Sequence, residues 1–289
     1  MNLPDVQQNN KPKTPVHIQR VGVQGVQIPI NFRCGVKGKE DEIYSLKATV
    51  DLFTDLDKSV KGVSMSRFVR ILNTYSDNII NNKTIKELLE RIIDSMGTGC
   101  NYSYVKFSFD TRILKKSIAT KNYSYEFYKC SFEGMLEPPT YRFFQCVRVP
   151  YASYCPCSAE LSNYLATTES SCGFPHAQRS LVTIVAETQP NTIKIEDIIL
   201  MVEDSVVNIP YPIILREDEM RIAERAAKNP MFVEDVAREI SVNLNGDKRI
   251  LDWLLKCEHF ESIHTHEAVC ILSKGISSGL SPSYFLVKI

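Results

Sequence analysis

The sequence predicts an α+β fold in which one order of elements, strand–strand–helix–helix–strand–strand, is used twice. Three observations carry this reading. The hydrophobic pattern switches from alternation to a helical repeat and back along the first half of the chain. Pro138 and Pro139 then interrupt any regular ladder, and the same switches follow again. With 44% hydrophobic and 24% charged residues among 289, the composition is globular and long enough for one large domain or two ordinary ones. The organisation expected is an N-terminal arm over residues 1–15, a first module over 16–137 and a second module over 138–289 that carries most candidate site residues.

The arm is polar and rich in Asn, Gln and Pro. Val21 to Ile30 and Tyr44 to Phe53 have the β-branched content of strands, with the polar stretch Lys37 to Glu42 between them. Met65, Phe68, Val69 and Leu72 then fall on one helical face. Ile85, Leu88, Leu89, Ile92, Ile93 and Met96 repeat that spacing, with Thr84 and Glu87 read as a capping box and Gly97 to Gly99 as the stop. Val105, Phe107 and Phe109 alternate with Lys106 and Ser108 as a half-buried strand, and Tyr125 to Phe132 reads as another.

In the second half, Tyr141 to Val149 and Leu181 to Glu187 are strand-like, joined by a long connection rich in Cys, Ser and Thr. Ile195 to Val202 and Glu217 to Ala227 read as helices. A third helix is expected to open with Asn229 as N-cap and Pro230 at the first helical position. It presents Phe232, Val233, Val236, Ala237, Ile240 and Leu244 on one face, with Glu234 at the border of that face just after the first turn. Arg249 to Cys257 and Ala268 to Ser273 close the chain as strands. The duplication is one of element order, since no residue-level repeat is visible.

Charge excludes some function classes. The 34 basic and 34 acidic side chains balance, and no basic run stands out, which argues against a nucleic-acid binder. Apolar runs such as Ile198 to Val202 are far too short to cross a bilayer, and the first residues lack the apolar core of a signal peptide. A soluble, cytoplasmic chain without membrane partners is expected. Nine cysteines, an odd number without regular spacing, do not make a secreted disulfide framework.

Several segments could carry chemistry. Cys155-Pro156-Cys157 is not the Cys-x-x-Cys knuckle of a structural zinc site, and two loop cysteines plus a satisfied His176 remain an open account of it. His259, His264 and His266 lie within eight residues, beside Glu261. Imidazole and carboxylate are both metal ligands and proton-transfer groups. On a strand His264 and His266 face one way and Glu261 the other, so the three converge only at a bend; a polar hairpin tip is the competing account. Glu217, Asp218, Glu219 and Glu234, taken alone, fit ordinary surface charge near helix starts.

Together these runs resemble the type IB GTP cyclohydrolase I family. The resemblance rests on Ala48-Thr49-Val50-Asp51-Leu52-Phe53, Met65-Ser66-Arg67-Phe68, Cys155-Pro156-Cys157-Ser158, Gln178-Arg179-Ser180, Arg216-Glu217-Asp218-Glu219, Asn229 to Asp235 and Phe260 to His266. Leu3 to Gln7 and Val21-Gly22-Val23-Gln24-Gly25 fit as well, so it covers nearly the whole chain in order. It implies tandem tunnelling folds, antiparallel sheets with helices on one face, assembled as a homotetramer with sites between subunits. The reaction implied is GTP plus water to 7,8-dihydroneopterin triphosphate plus formate, feeding folate-type pterins or queuosine-type deazapurines.

The same resemblance implies a divalent metal, zinc, manganese or iron. Cys155 is then its thiolate ligand and Glu219 a carboxylate ligand. His176, Glu261 and His264 hold the metal or move protons, Glu234 anchors guanine, and Arg67 and Arg179 meet the triphosphate. One departure bears on the site: His176 follows Cys155 by 21 residues, where the family has a short link, and the extra segment Tyr164 to Ser171 lies between. The nitrile reductase that shares the implied fold is disfavoured, because its Glu-Ser-Leu-Lys-type motif is absent. A metal-dependent purine- or pterin-binding protein without turnover is the alternative.

Overall fold

The computed structural model describes residues 11–35, 41–97, 99–169, 173–190, 192–206 and 208–285. The run Leu3 to Gln7, most of the arm and Cys172 lie outside the described residues. The first half runs β1 (Ile18–Cys34), β2 (Glu42–Leu56), α1 (Met65–Asn73), α2 (Asn82–Met96), β3 (Ser103–Lys116) and β4 (Tyr123–Glu137). The second runs β5 (Thr140–Tyr154), α3 (Pro156–Thr168), β6 (Ala177–Thr188), α4 (Ile195–Val206), α5 (Arg216–Lys228), α6 (Val233–Gly246), β7 (Ile250–His259) and β8 (Ala268–Ser273). The strands hydrogen-bond in chain order from β1 to β8. The β1–β2, β2–β3, β6–β7 and β7–β8 ladders are antiparallel. The α+β class with antiparallel strands and helices therefore holds.

The chain falls into two units. The first comprises the residues up to Asp110, with Cys130–Gln145 and Gln189–Thr192. Ile28, Ile30 and Phe32 on β1, Val50 and Leu52 on β2, and Val105 and Phe107 on β3 are buried at alternate positions, as the pleat requires. Phe68 and Leu72 of α1 and Ile85, Leu88, Leu89 and Ile92 of α2 are also buried. Gly134 on β4 lets α2 approach: a Cβ there would lie 2.5 Å from Ile85 Cγ2 and 2.9 Å from Leu89 Cδ1. The Val21-Gly22-Val23-Gln24-Gly25 run is a bulged stretch of β1, with register shifts between Ile18 and Val21 and between Val23 and Val26. A Cβ on Gly22 would stand 1.9 Å from Leu52 O, and Gly25 has φ +76 with its amide donating to Asp51 Oδ1 at 2.8 Å. Bulging breaks strict alternation, which is why β1 is longer than the sequence pattern suggests.

The cap of α2 differs from expectation. Asn81, not Thr84, caps the helix, its side chain accepting from the Thr84 amide at 3.0 Å while Thr84 Oγ1 donates to Ile79 O. Asn offers an acceptor one position ahead of the first turn, so the helix begins earlier than the Thr-x-x-Glu pattern implies.

The second unit comprises Thr111–Lys129, Cys146–Thr188 and the chain from Ile193 onward. Val236, Ala237, Ile240 and Leu244 of α6 are buried, as are Trp253 and Leu255 of β7, and Trp253 Nε1 donates to Asn245 Oδ1 at 3.0 Å. Inside this unit Lys115, Glu203 of α4 and Tyr128 meet in the core: Lys115 Nζ pairs with Glu203 Oε1, and Tyr128 Oη donates to the same oxygen at 2.5 Å.

Two expectations are corrected here. The Cys/Ser/Thr-rich connection after β5 is not a loop but contains α3, a helix with no buried residue, which weak amphipathicity hides from a periodicity argument. Asn229 does not start α6. It ends α5, its amide donating to Ala226 O and its Nδ2 to Arg225 O at 2.8 Å, while α6 begins at Val233 with Asp235 accepting from the Phe232 amide at 3.2 Å. Glu234 therefore lies inside the first turn of α6 rather than after it.

Candidate active site

Cys155 follows directly after β5 and is the N-cap position of α3; it is half-buried, whereas Cys157 in the first turn is exposed. The helix leads the chain away and the segment after it returns. On return, the His176 amide donates to Ser158 Oγ at 3.2 Å and the Cys155 amide donates to His176 O at 3.3 Å. Gly173 makes this closure possible, since a Cβ there would stand 2.9 Å from Ser162 Cα. The extra segment therefore adds helix: Tyr164 to Thr168 complete α3, and His176 returns beside Cys155 despite the long separation.

His176 and Gln178 flank Ala177 at the start of β6 and point to one side, as alternate positions do. His176 Nδ1 lies 3.0 Å from Gln178 Oε1, and Gln178 Nε2 donates to Glu261 Oε1 at 3.3 Å. Glu261 Oε2 stands 3.9 Å from His176 Nδ1. Glu261 is delivered by the bend after β7, anchored where the Phe260 amide donates to Arg179 O at 3.0 Å. Farther along that bend His264 and His266 are exposed, their rings stacked 5.0 Å apart at 17°. Arg179 is exposed on β6.

The other candidates stand apart from this cluster. Glu219 is exposed in the first turn of α5 and makes no hydrogen bond or ion pair with Cys155, His176 or Glu261. Among the described residues, no three His, Cys, Asp or Glu side chains gather as a group that could hold a metal ion. Glu234 is exposed on α6, where its charge acts on His259 and Cys270. Arg67 lies in the first unit, its guanidinium donating to Ser95 O at 2.6 Å.

Sequence reasoning gave no role to three neighbours. Asp218, beside Glu219, is fully buried and accepts from the Ala119 amide (2.8 Å), the Thr120 amide (3.0 Å), Thr120 Oγ1 (2.5 Å) and the Leu215 amide (3.0 Å). Burial opposes its ionisation, but these hydrogen bonds outweigh it and hold the carboxyl well below the usual carboxylate range. Asp218 thus pins the start of α5, from which Glu219 projects. His259, 3% exposed, packs edge-on against Tyr151 with ring centres 5.7 Å apart. Burial pushes its pKa down to about 4, partly offset by the Glu234 charge, so it is neutral near pH 7. Gln178 stood in a quoted motif without a role; the strand period that puts residues 176 and 178 on one side was the available signal. The site thus couples an imidazole to a carboxylate through a buried amide beside a half-buried thiol, groups suited to metal ligation and proton transfer.

A family model described as type I GTP cyclohydrolase FolE2 matches residues 3–270. The chain is 34% identical over 267 residues to GTP cyclohydrolase FolE2 of Pseudothermotoga lettingae, covering 92% of this chain and 97% of that protein. It is also 34% identical over 271 residues to GTP cyclohydrolase FolE2 of Fervidobacterium nodosum, covering 94% and 97%. Among solved structures it resembles uricase from Arthrobacter globiformis, with a TM-score of 0.53 at 5% identity over 95% of this chain and 100% of that one. Urate oxidase from Bacillus subtilis 168 gives a TM-score of 0.53 at 8% identity over 88% and 98%. At such identities the likeness is one of fold, and the fold is the tunnelling fold.

Proposed function

This chain belongs to the type I GTP cyclohydrolase FolE2 family, and we propose that it converts GTP and water into 7,8-dihydroneopterin triphosphate and formate with a divalent metal. As a GTP cyclohydrolase it serves pterin and folate synthesis, and enzymes of this class are in general metal-dependent. The observation that carries the reading is the joining of Cys155, His176 and Glu261 in one neighbourhood by backbone and amide hydrogen bonds.

Thiolate, imidazole and carboxylate suit zinc, iron and manganese, so the donor chemistry fits. Cys155, His176 and Glu261 would hold the ion, with Glu219 from α5 as the further carboxylate. When bound, the metal supplies Lewis acidity that lowers the pKa of a water molecule for attack on C8 of guanine. The chain's own residues do the rest. His264, exposed on the bend, is free to reach the opened imidazole ring and move a proton at its nitrogen. Glu234 accepts from guanine N1–H and the exocyclic amine, a donor pair that adenine lacks. Arg67 and Arg179 take the triphosphate oxygens, which a guanidinium meets in bidentate fashion.

Residues 16–137 and 138–289 are the two proposed modules. A homotetramer is proposed for the assembly, and the cytoplasm for its location. No helix among the described residues is long and apolar enough to cross a membrane. β1 and β8 end the strand order, and such edges are commonly covered by association. Incubation with GTP and each metal in turn, with formate measured and the oxidised pterin read by fluorescence, tests the reaction. Formate in step with pterin is expected. GTP binding without formate under every metal would replace this reading with a binding protein.

A further inference from the structure

We propose that Gln178 is a positioning residue, whose amide sets the tautomer of His176 and the orientation of Glu261. The inference rests on the proposed reading of the site and deepens it. Gln178 is 8% exposed, so its amide exchanges little with water. A carboxylate only accepts hydrogen bonds, so the end of the amide facing Glu261 at 3.3 Å must be the donating nitrogen. That leaves the carbonyl oxygen 3.0 Å from His176 Nδ1. A carbonyl oxygen also only accepts, so Nδ1 must carry the proton. The lone pair of the neutral imidazole is then on Nε2, the nitrogen left for a ligand or a transferred proton.

Glu261 does not set the ring by itself. Its nearer oxygen is 3.9 Å from Nδ1, beyond hydrogen-bond range, so the amide is the link between the two groups. A group that orients a metal-ligating histidine through its second ring nitrogen typically changes metal affinity about 10–100-fold when removed. The amide does more than an acceptor alone would, since it also presents a donor to the carboxylate. Gln178→Glu separates these two tasks: it keeps an acceptor for Nδ1–H and turns the contact with Glu261 into a repulsion between like charges. Gln178→Met removes both with little change of volume.

Two measurements decide the matter. In metal-free protein labelled with ¹⁵N-histidine and held at a pH where the imidazole is neutral, the His176 nitrogen shifts report the tautomer directly. Nδ1–H is expected in the parent and a mixture in Gln178→Met; an Nε2–H tautomer in the parent overturns the proposal, and needs no variant to fold. Zinc affinity, read by competition with a chromophoric chelator, is expected to fall about 10–100-fold in Gln178→Met and in Gln178→Glu, with the unfolding midpoint of the metal-free protein retained. Unchanged zinc affinity in Gln178→Met also overturns it. Failure of the enzymatic reading looks different: the parent would then release no formate from GTP, whatever the tautomer measured in metal-free protein.

Discussion

At the scale of single residues, the sharpest contrast is between Cys155 and Cys157. One is half-buried and backbone-bonded to His176, the other is exposed on the first turn of α3. Cys155→Ala is expected to purify without metal and with almost no turnover, and Cys157→Ala with both retained; metal analysis of the two proteins checks this. Glu234→Gln is expected to weaken GTP binding and narrow the preference over ATP by roughly 1–3 kcal/mol, because the amide no longer accepts from both guanine donors; calorimetric titration with both nucleotides measures it. A stability test lies elsewhere, in the buried Lys115–Glu203 pair. Lys115→Met leaves a buried carboxylate that still accepts from Tyr128 Oη at 2.5 Å but has lost its cation, and should cost about 3–5 kcal/mol. Adding Glu203→Leu should restore most of that loss, as urea midpoints of the two variants would reveal. The sequence singled out His176 and Glu261 through a family motif, yet Gln178 and Asp218 in the same motifs had no assigned task. Their roles depend on which atoms face them across the fold, which spacing along the chain does not specify.

At the scale of elements, what was legible followed the strength of the pattern. α2, with Ile85, Leu88, Leu89, Ile92 and Met96 buried and Ile93 half-buried, was visible from its apolar stripe. α3 was not, because none of its residues is buried and only Pro156 at its start marked it. Asn229 misled because Asn favours both ends of helices, and the choice between ending α5 and starting α6 is made by hydrogen bonds to Arg225 and Ala226. The contact of α2 with β4 at Gly134 gives an element-scale prediction. Gly134→Val would force its methyls into Ile85 and Leu89, costing about 1–3 kcal/mol of overpacking. Gly134→Ala should cost less, and thermal unfolding of the two proteins orders them.

At the scale of the whole molecule, the alternation that predicted strands also predicted an α+β class, and the family likeness supplied the tunnelling fold that element order alone did not name. Light scattering should give a mass near four chains if the proposed assembly is right, and a monomer with full activity would contradict it. The strand order carries a further consequence, for how the molecule comes into being. Among the described residues, the ladders join strands that are neighbours along the chain. No strand has to wait for a partner encoded at the far end, so closure entropy is limited to the connections between neighbours. During synthesis, which proceeds from the N-terminus, β2 finds β1 already made, and each later strand meets a finished edge. Growth of the sheet can therefore follow the ribosome, with the newest edge always the one about to be covered.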